Sequence, residues 1–363
     1  MTEFRIKQTR IQELLSAHQL QALLLQRSSS FAWATCGAAA YVNTASTTGA
    51  ASLLITPDKH YLLTTNIEAT RLEQEEKLHY QGWDFQIYPW HKKNDLVEKL
   101  IGSAKLGVDF PRAGAMDLSP EISRLRCALL PEENIRFRVL SRLCAESMYA
   151  AIQSIKPGMS EHQAASLLAE QTLARGVQAI VNLIAADERI YQFRHPLPTF
   201  NDIDKYLMLV LVGRRWGLTC SISRLVYFGK LPDELRQKSQ AVAFIDASFI
   251  DATRPGTAMH QAFNEGLAAY AQEGYADEWR NHHQGGPTAY ETREFLVNET
   301  TQDLVQPGMV FAWNPSVSGY KSEDSIEVGP VSNEVLTQMM DWPVIEVEIG
   351  DRVYARPAIL EME

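Results

Sequence analysis

IKPGMSEHQA (residues 155–164) returns in altered form as TRPGTAMHQA (253–262). Pro157 and Pro255 are 98 residues apart. The same offset relates Gly158 to Gly256, His162 to His260, Gln163 to Gln261, Ala164 to Ala262 and Gly176 to Gly274. Each copy follows a helix-patterned stretch, 139–155 and then 235–253. Proline removes a backbone donor and breaks the first helix, and the Ser/Thr-rich turn starts the second. Gly176 and Gly274 stand where a left-handed C-terminal cap belongs. Helix–Pro-Gly–helix turns are common, but six identities at one fixed offset favour a repeat over coincidence. A period near 100 residues is too long for a solenoid. It predicts a domain of two similar halves with a site built between them. His162 and His260 fall in early helix turns and read as surface or capping residues.

Strand patterns follow each copy: 179–185, 206–213 and 223–229 after the first, 309–315 and 323–329 after the second. The stretches 344–350 and 352–357 read as a hairpin turning at Gly350-Asp351. Upstream, helix and strand patterns alternate: a helix over 5–18, strands at 20–26, 51–65 (broken at Pro57-Asp58), 84–90 and 105–110, and helices at 67–77 and 119–130. LLPEEN (129–134) reads as a linker. The organisation expected is an α/β layer domain over 1–135 and a second domain over 136–363.

The 363 residues suffice for two domains and a sizeable core. A net charge of −10 argues against nucleic acid or an anionic membrane as the main partner. The N-terminal stretch is charged throughout and reads as an amphipathic helix, not a signal peptide. The longest apolar runs, such as LMLVLV (207–212), are far short of the roughly 20 residues of a spanning helix. The four cysteines (Cys36, Cys127, Cys144, Cys220) have no CxxC spacing and read as free thiols of a reducing compartment. The location expected is cytoplasmic.

NHHQGGPTAYETRE (281–294) raises the question of a metal, because histidines are common ligands. Along a strand, neighbouring side chains point to opposite faces, so His282 is not expected to join His283, nor Asp324 to join Glu323.

A two-domain chain with helix–PG–helix twice, then HHQGG, QPGMVFAWNP and SEDSIEVG, resembles the creatinase / Xaa-Pro aminopeptidase / methionine aminopeptidase superfamily. The resemblance implies a creatinase-type N-terminal α/β domain and a C-terminal pita-bread domain (an α/β, or α+β, fold) with pseudo-two-fold halves. It also implies five metal-ligand positions: two Asp, one His and two Glu. Here they fall on Val210, Ser221, His283, Asn314 and Glu323. Three have lost the ligand. Two buried dications beside one carboxylate would be strongly unfavourable. No cofactor and no functional dinuclear metal are therefore expected. A rearranged single-ion site using Glu291 or Glu294 is the alternative.

The metal-free branch of that superfamily implies catalysis by His195, in YQFRHPLP (191–198), with Glu323. His283 would be a further imidazole, and Asn314 a donor polarising the substrate. Arg293, Tyr290 and Arg194 are expected to bind substrate, and Arg194, Arg214, Arg215 and Arg293 together suit an anionic or carboxylate-bearing molecule. The plainer readings stand beside these. His195 caps a turn before Pro196, Asn314-Pro315 is a structural turn, Arg214 and Arg215 belong to an exposed hairpin, and Trp313, Tyr290 and Tyr320 are core. Three functions remain open: a metal-independent hydrolase of a C–N bond in a small amide, amidino or N-substituted amino-acid or dipeptide substrate; an Xaa-Pro-type peptidase with an atypical metal site; and a catalytically dead domain binding a ligand or peptide. The resemblance further implies a homodimer.

Overall fold

The computed structural model describes residues 2–363. It forms two compact units. One reaches Arg126 and includes Trp216–Leu218; the other comprises Cys127–Arg215 and Thr219–Glu363.

The first unit contains α1 (Glu3–Ala17), β1 (Ala22–Arg27), α2 (Ser28–Ala34), β2 (Thr48–Ile55), β3 (His60–Thr65), α3 (Ala69–Gln74), β4 (Asp84–Tyr88), α4 (Leu96–Ile101), β5 (Leu106–Val108), β6 (Met116–Asp117) and α5 (Ser119–Cys127). Its sheet runs β4-β3-β2-β1-β5-β6, with β1 antiparallel to β2 and parallel to β5. Strand β1 is central and covered on both faces, so Leu23, Leu24 and Leu25 are all buried and its sequence does not alternate.

The second unit contains α6 (Pro131–Ile152), α7 (Glu161–Ala174), β7 (Gln178–Ala186), α8 (Glu188–Gln192), β8 (Tyr206–Arg215), β9 (Leu218–Phe228), α9 (Asp233–Ala252) and α10 (Met259–Gln272). It continues with β10 (Gly285–Pro287), β11 (Val310–Trp313), β12 (Ser316–Val317), β13 (Tyr320–Lys321), β14 (Asp324–Glu327), β15 (Glu334–Val335), β16 (Val344–Ile349), β17 (Arg352–Pro357) and β18 (Leu360–Met362). The stretch LLPEEN is not a linker. Pro131 opens α6, where its missing N–H costs nothing, and the Glu133 carboxylate accepts from Leu130 N at 2.8 Å.

The repeat seen in the sequence is a repeat of backbone geometry. Gly158 and Gly256 have φ of +83° and +84°, and Gly176 and Gly274 have +70° and +83°, which only glycine adopts without strain. Gly158 N donates to Ile203 O at 2.8 Å, and Gly256 N to Val305 O at 2.9 Å. Met159 O and Thr257 O accept in return from Ile203 N and Val305 N. Gln163 and Gln261 each fold back onto the backbone N–H three residues earlier, at 2.8 and 3.2 Å. Each half thus closes its helix pair against a later segment by the same ladder.

The halves supply one four-stranded sheet each, β18-β9-β8-β7 and β10-β11-β14-β15. Their shared core is built on Phe249, Phe263, Phe311 and Trp313, with Phe249 and Trp313 stacked at 4.8 Å. Gly266 leaves room for the Phe249 ring: a Cβ there would lie 2.1 Å from it, so α9 and α10 pack closely. The hairpin β16–β17 turns at Gly350, with φ +61°. Among the described residues no helix is long and apolar enough to cross a membrane.

Candidate active site

Residues 321–324 run through the middle of the second unit, and their side chains alternate. Lys321 and Glu323 face one way; Ser322 and Asp324 face the other. The Glu323 carboxylate accepts from Lys321 Nζ at 2.7 Å, Arg293 Nη2 at 2.8 Å and Ser223 Oγ at 2.7 Å. Arg293 is itself held by Ser221 Oγ at 3.0 Å and by the Thr292 carbonyl. The three charged side chains are buried, at 8% exposure for Arg293, 6% for Lys321 and 4% for Glu323. Burial alone would raise the Glu323 carboxyl, but Lys321, Arg293 and the Ser223 hydroxyl overcome it and hold the group well below the usual carboxylate range. Glu323 is therefore ionised and already partnered, and the cluster carries two cations against one anion.

Behind this cluster, Ser322 Oγ and Arg356 Nε both donate to Asp246. Asp324 accepts from Arg224 at 2.9 Å and Arg356 at 2.6 Å. This second group fixes the strand that presents Lys321 and Glu323.

Three imidazoles stand on the cavity side. His282 and His283 leave a 3-10 turn (Glu278–Asn281) and precede β10. Their rings lie 4.6 Å apart, and His195 lies 4.8 Å from His282 and 5.8 Å from His283. The expectation that His282 and His283 point apart is overturned. Alternation holds inside a paired strand, and pairing begins only at Gly285. The two glycines that follow are required by the close pairing. A Cβ on Gly285, whose φ is +108°, would lie 2.1 Å from Ala312 O. His282 Nε2 is 3.0 Å from His195 Nε2 and 3.5 Å from Asn314 Nδ2, and its Nδ1 is 3.4 Å from Ser316 Oγ. One tautomer satisfies all three contacts, with the His282 proton on Nδ1 and Nε2 accepting. Burial, then Lys321 and the other two imidazoles, press His282 down to about 2. Burial, then Arg293, press His283 down to about 4. His195 is lowered by burial and by Lys321, and it is the exposed member of the three.

His195 sits in a fastened loop. Asp187, at φ +49°, accepts from the backbone N–H of Asp204, Lys205 and Tyr206 at 2.9, 2.9 and 2.8 Å, which closes the loop at its base. Buried Glu161 accepts from Ala186 N, from Thr199 N and Oγ1, and from Arg189.

A cavity of about 320 Å³ opens between these groups. His195, His283, Asn314, Arg293, Lys321 and Glu323 form its polar side. Val181, Leu183, Val210 and Val212 form an aliphatic wall, joined by Leu296. Val181 pairs with Val212 and Leu183 with Val210 across β7 and β8, so the four share one sheet face.

Not every residue expected at the site is there. The Tyr290 hydroxyl donates to Glu133 at 2.6 Å, and Tyr290 does not line the cavity. Arg194 is committed to Glu278 and to the Val317 carbonyl. Arg214 contacts Gln178 and Arg215 the Arg175 carbonyl, at the far end of β8. Glu294 accepts from the backbone N–H of Tyr290 and Glu291 and shapes its own turn. Trp313 donates to Thr253 and Tyr320 to the Pro357 carbonyl, both inside the core. Sequence reading alone does not bring Lys321 and His282 to the site. For Lys321 the signal is present: it stands two residues before Glu323 and so shares its face.

The sequence pattern described as metallopeptidase family M24 matches residues 136–353, and that of the creatinase/prolidase N-terminal domain matches 7–127. The chain belongs to family M24. Solved structures with the same fold include the Xaa-Pro dipeptidase from Bacillus anthracis, at 18% identity, TM-score 0.79 and coverage of 99% of this chain and 100% of that one. The prolidase from Pyrococcus horikoshii OT3 follows at 18% identity and TM-score 0.78, covering 92% and 98%. The N-terminal domain of FACT complex subunit SPT16 from Cicer arietinum has 13% identity and TM-score 0.70, covering 92% and 96%. Among curated proteins no match is found.

The family name implies a metal, and the residues present do not fit the carboxylate-rich pair of ion sites expected of it. Val210, Ser221 and Asn314 offer no anion, and Glu323 is held by two cationic side chains. The ligand atoms of His195, His282 and His283 lie within 4.8 Å of one another. An ion among them would face Lys321 and Arg293 with one carboxylate to offset both, a field that opposes a dication.

Proposed function

We propose that this M24 chain is a metal-independent hydrolase that cleaves a C–N bond in a small amide, amidino or N-substituted amino-acid substrate. The observation that carries the reading is the Lys321–Glu323–Arg293 cluster, which stands beside positions 210 and 221, now Val and Ser. Two fixed cations supply the positive field, and each offers N–H donors to charge developing on a carbonyl oxygen.

His195 is the proton carrier. Its Nε2–H is held by the neutral His282, so His195 Nδ1 keeps the basic lone pair. A proton gained there leaves an imidazolium still bonded to His282, which orients it. In the reaction His195 takes a proton from water. The water oxygen bonds to the carbonyl carbon, and the C=O electron pair moves to the oxygen facing Lys321 and Arg293. The C–N bond then breaks as His195 returns the proton to nitrogen. Glu323 has no free valence for this exchange and acts by positioning the two cations.

A second reading follows from that saturation of Glu323: a domain that binds its ligand without turnover, in line with a fold that also serves a FACT subunit. The test is hydrolysis of a panel of small amides and Xaa-Pro dipeptides by chelator-treated protein, with metal content measured on the same sample. The expected result is turnover indifferent to chelation and lowered at least about 100-fold in His195→Ala, the scale of general acid–base catalysis. Near-stoichiometric metal with activity lost on chelation overturns the proposal, and no turnover across the panel favours the binding reading.

A further inference from the structure

We infer that the cavity is a receptor for a small aliphatic monocarboxylate, whose carboxylate sits on Lys321 and Arg293 and whose hydrocarbon body lies on the Val181–Leu183–Val210–Val212 wall. This names the acyl half of the substrate: the bound carboxylate is the acid that hydrolysis would release, one oxygen standing where the carbonyl oxygen stood, and the inference rests on the hydrolase reading only for that link.

Three independent features lead here. The first is charge. Lys321 and Arg293 are almost fully buried and share a single carboxylate, so one positive charge is left over. Among the described residues no other carboxylate lines the cavity. A buried surplus charge is costly unless something of opposite sign joins it, and one anion closes the count.

The second is unmet hydrogen bonding. Nε of Arg293, Nδ1 of His283 and Oδ1 of Asn314 are buried polar atoms without a partner among the described residues. All three residues line this cavity. Buried polar atoms in folded proteins are nearly always paired, so three around one space mark a polar occupant. The guanidinium and the lysine are donors that grip a carboxylate, and His283 adds a third in the tautomer protonated at Nδ1, whereas Asn314 Oδ1 is an acceptor and makes no bond to the anion.

The third is shape. The wall opposite is four aliphatic side chains on one sheet face, with Leu296 beside them. A volume of about 320 Å³ is at the small end for ligand cavities. An inorganic anion would leave that wall bare, whereas an anion with a branched chain of about four or five carbons would cover it.

The experiment is calorimetric titration of the full chain with isovalerate, isovaleramide, isoamylamine and phosphate at constant ionic strength. Isovalerate is expected to bind at least about tenfold more tightly than the equal-sized amide, the amine not to bind, and phosphate to bind more weakly than isovalerate. Lys321→Met is expected to weaken isovalerate at least about tenfold, with Lys321→Arg restoring it. Circular dichroism of each variant establishes that it is folded. Equal binding of acid and amide, preference for the amine, or unchanged affinity in folded Lys321→Met overturns the inference. Phosphate binding tighter than isovalerate overturns the aliphatic part of it. Isovalerate, isoamylamine and phosphate have no amide bond to hydrolyse, and ammonia release is measured alongside the isovaleramide titration, so binding is read separately from turnover. Carboxylate binding without any amidase activity sustains the receptor and sinks the hydrolase. Turnover of neutral amides with no preference for acids does the reverse.

Discussion

Two buried charge clusters lie on opposite sides of residues 321–324, and they are built to different rules. Behind the strand, Arg224 and Arg356 meet Asp246 and Asp324, two cations against two anions, none more than 3% exposed. In front, Arg293 and Lys321 meet Glu323 alone. The rear cluster is neutral, deeply buried and tied to backbone through the Thr337 carbonyl. The front cluster is charged and opens on a cavity. One set of charges holds the strand in place; the other is left incomplete at the point where a ligand arrives.

The largest effect is expected at the rear. Arg356→Met strands Asp246 and Asp324 without their shared partner, and breaking a buried pair in this way costs about 3–5 kcal/mol. Urea unfolding should report it, and a loss below about 1 kcal/mol would show that the rear cluster is not what fixes the strand.

The next effect is on acidity. His283 titrates at about 4 and His282 at about 2 in the folded chain. An unfolded histidine titrates near about 6.5. Burial is the main cause of both shifts, followed for His283 by Arg293 and for His282 by Lys321. Both folded values lie below the unfolded one, so at pH values between the two the unfolded chain binds more protons. Stability from this source is fully present above about pH 6.5 and is lost as the pH falls toward about 4, with Arg293, Lys321, Glu323 and His195 as the charged and titratable neighbours. Unfolding free energy measured from about pH 7 to about pH 5 should fall steadily, and His283→Asn should flatten the slope. A flat profile in the parent chain would mean that the imidazoles are solvated and the cavity wetter than described.

The smallest effect on stability, and the sharpest contrast with Arg356→Met, belongs to Lys321→Met. It removes a surplus cation and leaves Arg293 paired one-to-one with Glu323. The expected change is within about 1 kcal/mol of zero, since replacing buried charge by a fitting apolar group is often neutral or better. A loss as large as that of Arg356→Met would make the two clusters alike and remove the distinction drawn between them.

Much of the architecture could be read from the chain because it rests on local rules. Pro-Gly at 157–158 and 255–256 demands a turn, and the same turn recurs in space with the same backbone ladder. The places of Val210, Ser221, Asn314 and Glu323 follow from strand order. The separation of Asp324 from Glu323 follows from the pleat, and Lys321 was open to the same argument. What sequence could not supply were directions outside paired strands and choices among partners. His282 turns toward His283 because the chain there is not yet a strand. Tyr290 and Arg194 are near the site in sequence, yet Glu133 and Glu278 claim them, and those carboxylates come from distant parts of the chain.

The helix–Pro-Gly–helix repeat has one last consequence. Its two copies contribute different kinds of surface to the cavity. The earlier copy provides Val181, Leu183, Val210 and Val212, and every formally charged lining residue (Arg293, Lys321, Glu323) comes from the later one. The two halves differ in kind: one offers aliphatic surface and the other formal charge. An amphiphile lodged between them would have its tail read by one half and its head by the other, a division of labour that neither half could perform alone.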